Sequence, residues 1–326
     1  MARLLADAFV YPVSIALLTG WVLLKAGERP AWALVVGLVT LLATALLHLW
    51  ARVVERRKGA ALFVYAPVGP PGADSGGLIW QKRAPAFAAE HFAAFAEIDR
   101  AIVSAEPTEW REAMREIQLA FRTQYQSWIR EGSDADPVAV LFYAKWPVAW
   151  ALGSKYGYAP LWAYQAHSDD RPERYFLAAH LVRPARETLK DQPLPVTSRV
   201  EPLGGTPTTR AIIVCLGRHK NMPTEALAHA RLAGHAEAIV ITSADDAIPE
   251  TRVAFTLHLD ATHKAIRDYQ EAVAAAAPGS APPVYYVYYS APVSIAFGLG
   301  RYLAEAGTFA LMMYVGSPRM YVEAAV

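Results

Sequence analysis

One stretch of the chain occurs twice. PVAVLFYAKWPVAWALG, from Pro137 to Gly153, returns 145 positions later as PPVYYVYYSAPVSIAFG, from Pro282 to Gly298. Without a gap, Pro137 meets Pro282, Tyr143 meets Tyr288, Pro147 meets Pro292, Val148 meets Val293, Ala151 meets Ala296 and Gly153 meets Gly298. Each copy reads as a short apolar strand, a turn with proline and then a small-residue helix. Both continue alike, with LWAYQA from Leu161 against FALMMYV from Phe309, and YFLAA from Tyr175 against YVEAA from Tyr321. A chain that repeats a strand-to-helix unit at this distance folds as two similar halves.

The flanking sequence extends the parallel. AALFVYAP, from Ala60 to Pro67, reads as a buried strand, and the glycine-rich VGPPGADSGG after it reads as a loop reaching Arg83. RAIIVCLGRHKNMPTEALAHARLAG, from Arg210, gives a strand, a polar loop and a helix in the second half. Between Ala84 and Gly132 the spacing of Phe92, Phe95 and Ile98, then of Trp110, Met114, Ile117 and Phe121, predicts two helices split near Pro107. The proline- and glycine-rich residues 184–210 read as the connection. The expected fold class is α/β: two Rossmann-like halves, 60–183 and 211–326, with mostly parallel sheets and helices on their faces.

The first 58 residues differ in kind. No charged residue occurs in 8–24 or in 30–51, and as helices these runs measure about 25 and about 33 Å against a hydrocarbon layer of about 30 Å. Only Lys25 to Arg29 separate them, so residues 1–58 are expected to form a two-span antiparallel membrane hairpin. Arg52, Arg56, Arg57 and Lys58 crowd the exit of the second span, which puts both termini in the cytoplasm. A cleaved signal peptide is the competing reading of the first run, and the second run would still anchor the chain. Gly37, Thr40, Thr44 and His48 share one face of the second span, suited to close helix contact or to a wet pore wall.

A formal charge of +1 over 326 residues gives no whole-chain attraction to nucleic acid, so an anionic partner has to be met by a local patch. The single cysteine, Cys215, lies in an apolar strand and reads as a buried structural thiol. In open α/β sheets ligands meet the carboxyl ends of strands, near helix N-termini. That rule selects four loops: Pro67 to Arg83, Ala144 to Pro147, Gly217 to Pro223 and Ser290 to Pro292. The candidate ligand-binding residues are Lys145 and Trp146 at one strand end, with Tyr289, Ser290 and Ala291 at its repeat. Arg218, His219, Lys220 and Asn221 stand in the third loop, and Trp80, Lys82 and Arg83 in the first. Cations there would pair with phosphates, rings would stack on bases, and asparagine could read a base edge; a solvated surface turn is the other reading of GRHKNMP. In the second strand Tyr288 and Tyr289 lie nearest the carboxyl end.

Signatures of catalysis are thin. GLGRYL at Gly298 lacks the third glycine of a dinucleotide fingerprint, no Walker A, G-x-S-x-G or H-E-x-x-H occurs, and His258, Asp260 and His263 lack an evident further metal ligand. No catalytic residue, cofactor or metal is assigned.

The strand followed by PVSIAFGLGRYL, a further strand and the final YVEAA resembles the C-terminal core of SAVED domains, which are fused pairs of CARF-like halves. The resemblance covers roughly Ala60 to Val326. It implies a sensor of a cyclic oligonucleotide second messenger in bacterial cyclic-oligonucleotide-based antiphage signalling (CBASS), the ligand being a cyclic tri- or tetranucleotide. The hairpin takes the effector position, so the implied protein is an inner-membrane effector that oligomerises on ligand binding and permeabilises the bilayer, with no enzymatic output and no duplex nucleic acid partner. A membrane-tethered Rossmann-type enzyme acting on a nucleotide or nicotinamide cofactor is the alternative, and a structural membrane scaffold is a third reading.

Overall fold

Seven consecutive apolar residues, AALFVYA, build strand β1 (Ala60–Ala66), and all seven are buried, as a strand covered on both faces requires. A computed structural model describes this strand and, in all, residues 59–69, 75–102, 106–130, 138–156, 161–167, 175–181, 194–217, 219–243, 245, 247–316 and 319–324. The two expected membrane spans, with Gly37, Thr40, Thr44 and His48, lie outside the described residues. Among the described residues no helix is long and apolar enough to cross a membrane.

After β1 come α1 (Ser75–His91), β2 (Ala94–Asp99), α2 (Pro107–Arg130), β3 (Val138–Ala144), α3 (Trp146–Lys155), β4 (Leu161–Ala166) and β5 (Tyr175–Leu181). The second half comprises β6 (Val196–Pro202), β7 (Thr209–Cys215), α4 (Met222–Leu232), β8 (Glu237–Ser243), α5 (Arg252–Ala276), β9 (Val284–Ser290), α6 (Val293–Tyr302), β10 (Thr308–Gly316) and β11 (Arg319–Ala324). The first sheet has the order β2-β1-β3-β4-β5 and the second β11-β10-β9-β7-β8-β6. Four neighbouring strands of each are parallel, and β5, β11 and β6 join antiparallel. Taking β1 with β7, β2 with β8, β3 with β9, β4 with β10 and β5 with β11, the two sheets share one order, and β6 is an addition to the second. The repeat read in the sequence is thus a repeat of topology.

Three local expectations are corrected. Residues 94–99, expected in a helix, form β2, parallel to β1 with Phe95 opposite Ala61 and Ile98 opposite Val64. AFAEID also alternates with period two, and pairing beside β1 satisfies its backbone where the three-residue spacing of Phe92, Phe95 and Ile98 pointed to a helix. The loop expected to reach Arg83 ends earlier, because α1 already begins at Ser75. Within the connection 184–210, VTSRVEP forms β6, an exposed edge strand paired with β8.

Residues Ala60–Ala88 and Ala94–Val326 form one compact unit; outside it, Ala93 N–H donates to the Gly59 carbonyl at 3.0 Å. In the compact unit the two short helices α3 and α6 pack together, buried from Pro147 to Gly153 and from Ser294 to Arg301. Glycines permit the approach. A Cβ on Gly153 would lie 2.1 Å from the Phe297 carbonyl oxygen, and one on Gly300 would lie 2.1 Å from that of Trp150. The three atoms nearest to a Cβ on Gly298 all belong to the Leu259 side chain. The glycines of GLGRYL are accounted for by packing.

Alanine is favoured over glycine in an exposed helix interior by about 1 kcal/mol. Against a carbonyl at 2.1 Å the sign reverses, and overpacking costs about 1–3 kcal/mol or more. Gly153→Ala and Gly300→Ala are each expected to lower the thermal midpoint by several degrees, and Gly298→Ala by less, as read by calorimetry.

Candidate functional site at the strand ends

Parallel pairing brings β7 and β9 to an end together, with Cys215 opposite Ser290. Leu216 N–H donates to the Ser290 carbonyl at 3.0 Å, so the segments leaving both strands run side by side. Beyond Gly217, His219, Lys220 and Asn221 are exposed, and Asn221 precedes α4 without using its side chain as a cap. Arg218 lies outside the described residues. The loop chosen for its cations therefore stands beside Ser290 and Ala291, which are half-buried.

The equivalent end of β3 meets the same place from the first half. Lys145 is exposed, extended (φ −69°, ψ 148°), and directly precedes α3. Trp146 is half-buried, its ring centroid 5.1 Å from that of Tyr289 and tilted 35° to it. Tyr289 is 7% exposed and donates its hydroxyl to the Pro292 carbonyl at 2.7 Å. Burial pushes that hydroxyl well above the usual tyrosine range, so it stays protonated and a donor. Tyr289 is thus the wall on which Trp146 packs, and among the described residues of these strand ends Lys145 and the segment His219 to Asn221 are exposed.

Tyr288, expected near a ligand, is instead fully buried on the other face of its strand. Its hydroxyl lies 2.9 Å from His229 Nδ1 and 3.5 Å from His235 Nε2. Both imidazoles are pushed below the usual histidine range, mainly by burial. Lys82 and Arg83 lie on α1, about 10 Å along the helix from Ser75; Lys82 is exposed, and the charge of Arg83 acts on Tyr175. Trp80 lies on α1 too.

Further residues of this edge went unnoticed in the sequence. Ser294, in the first turn of α6, donates both its backbone N–H and its hydroxyl to Gln165 Oε1, at 3.4 and 3.0 Å. The first half thereby caps a helix of the second. Near it, His167 Nδ1 lies 2.6 Å from Glu250 Oε2, again across the halves. Gln165 is the one polar residue of LWAYQA and could have been singled out on that ground; the partnership of His167 with Glu250, 83 positions apart, leaves no local signal.

Among the described residues no cluster of three or more His, Cys, Asp or Glu side chains could hold a metal ion. His258 donates Nδ1–H to the Ala254 carbonyl at 2.8 Å, and its Nε2 lies 3.2 Å from Ser243 Oγ. A groove of about 440 Å³ lined by Leu62, Glu97, Glu116 and Leu119 lies between β2 and α2, on the flank of the first sheet.

No protein-family model matches the chain, and no curated protein matches it. Among solved structures, the Acinetobacter baumannii Cap4 SAVED/CARF-domain containing receptor with the cyclic trinucleotide 3'3'3'-cAAA is 14% identical, with a TM-score of 0.45 over 68% of this chain and 44% of that chain. With 2'3'3'-cAAA the same receptor is 12% identical, with a TM-score of 0.46 over 86% of this chain and 55% of that chain. A further structure of it gives 12% and 0.42. The chain spans about half the length of the receptors it matches. A likeness at this level transfers no residue's role to this chain.

Removing the acceptor at Gln165 leaves the Ser294 hydroxyl, on a residue 1% exposed, without its partner, at about 1–3 kcal/mol. Gln165→Ala is expected to lower stability in chemical denaturation by about that amount. Gln165→Glu, which keeps an acceptor at a helix N-terminus, is expected to retain most of it.

Proposed function

We propose that the chain is a membrane-anchored SAVED-type receptor that binds a cyclic oligonucleotide at the strand ends and passes the event to its N-terminal hairpin. The observation that carries the reading is the meeting of two repeat-related strand ends, Lys145 with Trp146 and Ser290 with Ala291, beside the exposed His219, Lys220 and Asn221. A cyclic tri- or tetranucleotide carries phosphates and bases around a ring. Exposed cations from both halves at one edge suit the phosphates, and Trp146 offers a ring to a base.

In this reading the ligand favours an assembled state and so shifts the protein toward oligomers in the bacterial inner membrane. Assembly clusters the hairpins, because two helices per chain cannot enclose an aqueous path alone. The output is permeabilisation of the bilayer in antiphage defence, without an enzymatic step, a resident cofactor or a duplex nucleic acid partner.

The test is a thermal-shift screen of the full chain with cyclic di-, tri- and tetranucleotides, followed by dye release from liposomes with the ligand that binds. Cyclic tri- or tetranucleotides are expected to raise the midpoint and release dye. Lys145→Ala is expected to weaken binding about tenfold or more through loss of a charge-assisted hydrogen bond, with little change in unliganded stability. Absence of a shift with every ring sinks the reading, and turnover of a nucleotide without dye release favours the enzyme alternative.

A further inference from the structure

Strand β6 has no counterpart in the first half and lies at the end of the second sheet, paired with β8. Among the described residues no strand pairs with its outer edge. Just past β6, Leu203 N–H donates to the Ala236 carbonyl at 2.9 Å, on the β8 side. Each residue of an antiparallel strand turns its N–H and C=O the same way, and successive residues alternate. Thr197, Arg199 and Glu201 therefore bond toward β8, while Ser198, Val200 and Pro202 turn their backbone groups outward. An open edge of this kind is a template for another strand.

The side chains of β6 suit one partner. Val196 enters the core, and on the same face Val200 is 52% exposed, an apolar group left in water. On the other face Arg199 Nε donates to Glu201 Oε1 at 2.9 Å, with both side chains reaching solvent. Charges and an edge proline are also the devices that keep a strand from pairing. Sign separates the two uses. A row of like charges repels a second copy, whereas one arginine and one glutamate two residues apart complement their own copy across an antiparallel two-fold axis.

One register satisfies them. With Val200 opposite Val200 of a second copy, Arg199 lies opposite Glu201 and Glu201 opposite Arg199. A slip by two residues sets Arg199 against Arg199 in one direction and Glu201 against Glu201 in the other, and like charges directly opposite are destabilising. Pro202 works against the second slip as well, because it then faces Val200 and lacks the N–H to bond it.

We propose that β6 is a contact between two copies of this chain, which pair edge to edge and antiparallel about a two-fold axis at Val200. About four main-chain hydrogen bonds form, two between the valines and one from each Ser198 N–H to the opposite Pro202 carbonyl. The two exposed valines become neighbours, and the two ion pairs merge into a row of four alternating charges. A contact of one short strand from each copy buries less than the roughly 1,200 Å² of a standard interface, so it is weak in dilute solution. It uses no residue of the strand-end site and needs no ligand, so it stands or falls apart from the receptor reading.

The experiment is disulfide trapping in the full chain with oxidised glutathione. The wild type, whose one cysteine is the buried Cys215, is expected to stay uncrosslinked. In the proposed register the Val200 Cα atoms stand about 5.5 Å apart, within reach of a disulfide, and the Ser198 Cα atoms about 14 Å apart, beyond it. Val200→Cys is expected to give a covalent dimer at least about tenfold faster than Ser198→Cys. Added to Val200→Cys, Arg199→Glu is expected to slow trapping about tenfold, because both cross-strand ion pairs become like-charge pairs, and Glu201→Arg added to both restores it. Equal trapping at Ser198→Cys overturns the proposal, since it reports collision without register. No dimer from Val200→Cys overturns it too and gives the edge to another occupant, and so does a charge swap that fails to restore trapping.

Discussion

The fold depends on two helices that approach closely enough for backbone to touch backbone. Gly153 lies against the Phe297 carbonyl and Gly300 against that of Trp150, so each half supplies a glycine to the other's main chain. Because α3 and α6 each follow directly on a strand, their separation also sets the distance between the strand ends of the two halves. A side chain at either glycine would move the helices apart, and Lys145 and Trp146 away from Ser290 and Ala291.

The strand-end edge is held by the same logic. Gln165 of the first half caps α6 of the second, His167 meets Glu250, and Trp146 packs on Tyr289. Polar groups that could have faced water are spent on joining the halves, and among the described residues Lys145 and the segment His219 to Asn221 stay exposed. A ligand taken up as proposed would therefore depend on the inter-half geometry through these short links.

Much of this was legible in the sequence because it follows from local pattern. The repeated proline-led helix start marked both halves, and the parallel strands read as continuous apolar runs. Residues 94–99 were misread because Phe92, Phe95 and Ile98 sit three apart while AFAEID alternates, and only pairing beside β1 decides between the two periods. Tyr288 and Tyr289 are neighbours on opposite faces of one strand, and neither is an open stacking surface: the first is spent on histidines and the second on Pro292 and Trp146. The His167–Glu250 pair arises from tertiary packing, which no spacing in the chain announces.

The central claim is that the two halves form a single composite site, and its most direct test is stoichiometry. Isothermal titration of the full chain with the cyclic oligonucleotide that gives the largest thermal shift should give one ring per chain. Two rings per chain, one for each half, would contradict the account.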